Sequence, residues 1–114
     1  TPEDVWATLE ASHKAGIANW GFFMVGMPEE TQADFALTVQ ALAEMKQRGL
    51  LQWQQVNICT PSPGTELWRQ ATENGWLKVS IPSAAGHFHQ VPVMEFPYAS
   101  QQEIKTRLAV LQAL

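Results

Sequence analysis

At 114 residues, 46% apolar and 16% charged, the chain has the make-up of one globular domain and is too short for two. Its net charge is −4 and its Lys and Arg are scattered singly, which argues against a nucleic-acid surface, since phosphate binding needs clustered cations. No apolar run reaches membrane-spanning length, and no stretch reads as a signal peptide.

The chain opens without methionine, and Thr1-Pro2-Glu3-Asp4 reads as a helix cap, so a piece of a longer protein is expected. A first helix is predicted from Thr1 to Ala15. Thr1 caps it, Pro2 suits its first position, and Glu3 and Asp4 put negative charge in its first turn. Val5, Trp6, Leu9 and His13 fall on one stripe, and Gly16 stops the helix. Ile17 to Val25 is a nearly continuous apolar run, the pattern of a strand buried on both faces. Gly26-Met27-Pro28 then turns the chain into a second helix, about Thr31 to Arg48. Phe35, Leu42 and Met45 carry its stripe, with Thr38 and Val39 beside them.

Leu51 to Thr60 is the second predicted strand. It alternates from Gln55 onward, with Gln55, Asn57 and Cys59 on one face and Val56 and Ile58 on the other. Cys59 is the lone cysteine and cannot form an internal disulfide, so a reducing cytoplasm is the default compartment. Thr60 to Thr65 is a Pro- and Gly-rich turn, and Thr65 caps a short helix running through Leu67, Trp68 and Ala71 to Gly75. Val79 to Pro97 reads mostly as loop, because Pro82, Gly86, Pro92 and Pro97 interrupt it; a short extended piece is expected around Phe88 to Met94. Ser100 caps a last helix with Glu103 as a Ser-x-x-Glu box, and Ile104, Leu108 and Leu111 form its stripe.

Two parallel strands make no stable sheet alone, and all-parallel sheets need cover on both faces. The fold class is therefore α/β, expected as a segment of a partial (β/α) barrel with two parallel strands and about four helices. In such a barrel the apolar face of the second strand meets the helices and its polar face lines a lumen. The alternative is a non-catalytic βα module that associates with itself, or binds a protein partner, through unpaired strand edges.

Two blocks carry a family resemblance. Ala15-Gly16-Ile17, followed by Gly21-Phe22-Phe23-Met24-Val25-Gly26-Met27-Pro28-Glu29-Glu30-Thr31, resembles the fifth barrel strand and turn of radical S-adenosylmethionine (radical SAM) enzymes. Thr60-Pro61-Ser62-Pro63-Gly64-Thr65-Glu66-Leu67 resembles their sixth strand and turn. The pair is most similar to the cobalamin-binding branch, including the magnesium-protoporphyrin ester cyclase-like proteins. The resemblance implies that residues 1–78 are the C-terminal half of a (β/α)6 barrel and 79–114 a loop and terminal helix. It also implies S-adenosylmethionine and a [4Fe-4S] cluster as cofactors of the parent enzyme, with cobalamin in that branch, and a small-molecule substrate. The three cluster cysteines of the family are not in this sequence, so the chain alone is expected to be inactive and to hold no metal.

The resemblance assigns cofactor contact to Met24, Val25, Gly26 and Glu30, and lumen parity adds Asn57, with no catalytic residue. Each has a plainer reading. Gly26 and Pro28 shape the turn, Met24 fills core, and Glu30 stabilises the start of the following helix. Glu29 stands where the family usually has glycine. Cys59 and Gln55 face the lumen by parity, yet a small buried thiol needs no chemistry. His87 and His89 lie two apart, spaced to share a face, without an apparent third ligand. Trp6, Trp20 and Trp68 fall at core-facing spacings. Phosphate binding at the Gly26 to Thr31 junction is disfavoured by Glu29 and Glu30, whose charge repels anions.

Overall fold

The computed structural model describes residues 1–78 and 92–114. The elements follow the expected order: α1 (Pro2–Lys14), β1 (Trp20–Val25), α2 (Gln32–Gln47), β2 (Trp53–Ile58), α3 (Glu66–Glu73) and α4 (Gln101–Ala113). Capping sets the helix starts. Thr1 with Asp4, and Thr31 with Asp34, form complete capping boxes, each satisfying two backbone donors that a helix start leaves open. At α4 the box is half made: the Ser100 hydroxyl accepts from the Glu103 backbone, while the Glu103 carboxylate takes the hydroxyl proton. Residues 88–91 of the extended piece expected around Phe88 to Met94, like His87 and His89, lie outside the described residues. Met94, at its far end, bridges antiparallel to Leu77.

β1 and β2 pair in parallel, in register from Trp20 opposite Trp53 to Val25 opposite Ile58, with α2 as the crossover. One face of this ribbon is core. Val25, Val56 and Ile58 are buried with Phe35, Leu42 and Met45 of α2 and Ile104, Leu108 and Leu111 of α4. α4 packs on β2, β1 and α2, so residues from both sides of the expected division at 78 share one core. Among the described residues the fold is thus α/β with four helices and two parallel strands.

Among the described residues nothing covers the other face, which is bare. β1 was expected to be covered on both sides, but it alternates between covered and exposed positions, and Trp20, Phe22 and Met24 are exposed. Trp20 therefore does not point into the core. It lies beside Phe22 with near-parallel rings 5.9 Å apart and meets Trp53 at 6.3 Å. The physical reason is that α2 and α4 contribute their buried side chains to a single core, leaving the opposite pleat positions uncovered. α1 adds little: none of its residues is buried, and Trp6 and Leu9 only rest against the core.

Candidate functional site at the β1–α2 junction

The turn after β1 is built from two left-handed residues. Gly26 has φ 79° and Glu29 has φ 69°. Glycine is required at 26 for a second reason, because a Cβ there would stand 2.8 Å from Cγ2 of Ile104 on α4. The absent side chain thus makes room for α4 on the core side.

Glu30 is buried. Its Oε1 accepts the Gly26 N–H at 3.0 Å and an Nη1–H of Arg107 at 2.9 Å. Arg107 also donates to the Glu30 carbonyl at 3.3 Å, and its guanidinium lies 5.6 Å from the Phe35 ring. Both side chains of the ion pair are almost wholly buried, so each depends on the other for charge compensation. The Arg107 Nε–H finds no acceptor among the described residues. A second tie comes from the segment before α4, where the Tyr98 hydroxyl accepts the Glu29 N–H. Tyr98 is aimed there by a tight turn in which Phe96 and Ala99 exchange backbone hydrogen bonds, with the Phe96 ring stacked on Tyr98 and edge-on to Trp76.

The five residues assigned to cofactor contact therefore separate. Met24 and Asn57 stand opposite each other in register on the bare face, near the C-terminal end of the strands. Val25 is fully buried on the other face, and its carbonyl accepts the Cys59 N–H. Gly26 is buried under Ile104, and Glu30 is engaged with Arg107. Gln55 shares the bare face with Asn57, beside Phe22. Cys59, one residue past β2, sits in the core, where burial, and next the nearby Glu30 charge, push its thiol pKa up. A raised pKa keeps it protonated and weakly nucleophilic.

A hollow of about 270 Å³ lies over the turn, lined by Met27, Pro28, Glu29, Glu30, Asp34 and Thr38. Three carboxylates around it make it a poor anion site. A larger hollow, about 470 Å³, follows α3 from Gly64 to Glu73 and is lined by none of the bare-face residues. No group of three His, Cys, Asp or Glu that would hold a metal occurs among the described residues.

Arg107 and Tyr98 were missed in the sequence. Arg107 left a signal. It falls three residues after Ile104 and four before Leu111, a cation on an apolar helix stripe, which calls for a buried acid elsewhere. Tyr98, in an irregular segment, left none.

No protein-family model matches the chain, and no solved structure matches it. Over 77 residues, 68% of its length, it is 30% identical to an uncharacterized methyltransferase of Pyrococcus horikoshii. The matched stretch is 16% of that relative, so the likeness covers a small part of a much longer chain. It is compatible with an enzyme fragment.

Proposed function

We propose that this chain supplies one wall of the S-adenosylmethionine site in a radical SAM (β/α) barrel, in an enzyme whose reaction class is methyl transfer. Three lines support the reading: the two sequence blocks, the bare sheet face, and the methyltransferase relative. The bare face carries it. An exposed sheet face with two tryptophans and a phenylalanine is unusual for a self-sufficient domain. It is what a barrel lumen presents when its remaining strands are supplied from elsewhere. Met24 and Asn57 sit at the C-terminal end of the strands, where α/β folds keep their ligands. The Met24 thioether offers a soft surface for a purine, and the Asn57 amide carries both a donor and an acceptor.

The residues here do not fit the cluster itself. A [4Fe-4S] centre needs several thiolates, and the sequence has one cysteine, buried and held protonated. The chain's share of the chemistry is binding and orientation alone. Cobalamin rests on the resemblance and has no assigned residue here.

The test is an NMR titration of isotopically labelled chain with S-adenosylmethionine and, separately, 5′-deoxyadenosine. Weak binding, about millimolar, is expected from one wall of a site. The expected result is amide and side-chain shifts confined to Met24, Val25, Gly26, Gln55 and Asn57 with both ligands. Shifts confined to α1 or α3, or none at all, overturn the proposal.

A further inference from the structure

We infer that the C-terminal segment sets the shape of the ligand-facing turn, with Arg107 and Tyr98 as positioning residues for the proposed nucleoside wall; this rests on the reading of the β1–α2 junction given above. Left to itself, the stretch from Gly26 to Glu30 has little to hold it. Its internal backbone hydrogen bond is Glu30 N–H to the Met27 carbonyl, 3.1 Å. It also carries Glu29 in the left-handed region, a conformation that persists for a non-glycine residue only when neighbours enforce it.

The enforcing groups come from far along the chain. The Tyr98 hydroxyl, 69 residues on, accepts the Glu29 N–H, and Arg107, 77 residues on, donates to both the carbonyl and the carboxylate of Glu30. Through that carboxylate Arg107 reaches the Gly26 N–H, so one guanidinium holds both ends of the turn. Ile104 fills the space under Gly26 between them. Three residues of the tail thus press on one five-residue turn. The strand end carrying Met24 and Val25 runs directly into it. A shift of this turn re-aims Met24 against Asn57 on the open face. Neither Arg107 nor Tyr98 belongs to that face, so any effect they have on ligand affinity passes through the turn.

Tyr98→Phe is the cleaner variant, because Tyr98 is partly exposed and loses a single acceptor, whereas Arg107→Lys keeps the buried charge but replaces the planar fork. In the full chain, with S-adenosylmethionine as the probe, Tyr98→Phe should weaken binding about three- to tenfold, the size of one hydrogen bond. It should also speed hydrogen exchange at Glu29. Arg107→Lys should speed exchange at Gly26 and weaken binding at least as much. Thr65→Ala, which removes the cap of α3 and none of the contacts that hold the turn, serves as the stability control and should leave affinity unchanged. Wild-type affinity in Tyr98→Phe and Arg107→Lys, or an equal loss in Thr65→Ala, overturns the inference. A wild-type chain that takes no S-adenosylmethionine overturns the functional reading instead. The positioning role is then decided by the Gly26 and Glu29 exchange rates: wild-type rates in both variants refute it and raised rates uphold it.

Discussion

Glu29 holds a left-handed conformation that glycine adopts freely and a glutamate adopts at a cost of about 1–2 kcal/mol. Its side chain is exposed, so little packing is lost by removing it. Glu29→Gly should therefore stabilise the fold. The larger freedom of glycine in the unfolded chain offsets about 0.5–1 kcal/mol, leaving a net gain of up to about 1.5 kcal/mol. A urea midpoint moving upward, with unchanged slope, is the expected reading; a downward shift would show that the Glu29 side chain has a role the structure does not reveal. The departure from glycine at this position was visible in the sequence, and so was the helix-capping chemistry of Thr1 and Thr31. The role of Glu30 was not. An acid just before a helix has a sufficient local explanation, and local reasoning stops there. Its true partner stands 77 residues away on another element.

At the scale of elements, α3 shows how charge and capping combine on a short helix. Eight residues make a marginal helix, and Glu66 in its first turn is held by Arg69, which also reaches Glu73. The hydrogen bond from Arg69, then that from Gln70, lowers the Glu66 pKa from its ordinary 4.5 to about 2. A carboxylate with a depressed folded-state pKa stabilises fully above its unfolded value, and the contribution fades as pH falls through the folded one. The window here runs from 4.5 down to about 2. The Glu66 carboxyl resonance should titrate well below the usual glutamate range, and Arg69→Gln should return it toward 4.5. All three side chains are solvent-exposed, so molar salt should also move the midpoint upward. A midpoint indifferent to Arg69→Gln would sink this account. The helices and strands were legible because caps and stripes are local signals. The faces of β1 were not, since a run such as Trp20 to Val25 is apolar at every pleat position except Gly21. Periodicity cannot then say which side α4 will cover.

At the scale of the molecule, the bare face decides what kind of object this chain is. Trp20, Phe22, Met24 and Trp53 are 60, 71, 47 and 57% exposed. With side chains of this class burying 150–250 Å² each, they leave roughly 500 Å² of contiguous apolar surface. That is at the upper end of what monomers show. It is short of the roughly 800 Å² per partner that a standard specific interface buries. Among the described residues neither strand edge pairs with a third strand, so backbone donors and acceptors are open as well. A patch too large to ignore and too small to close a tight dimer predicts weak, open-ended association. Sedimentation velocity should show the mean mass rising steadily with concentration, without a plateau at two copies. Trp20→Thr with Phe22→Thr should suppress the rise while helix content stays unchanged, because both positions lie off the core and threonine suits a strand. A stable plateau at the dimer mass would instead favour the self-associating βα module over a wall of a larger barrel. The two readings thus part on stoichiometry: a barrel wall lacks a continuous sheet to pair with, whereas a dimer module would carry its complement in its own second copy.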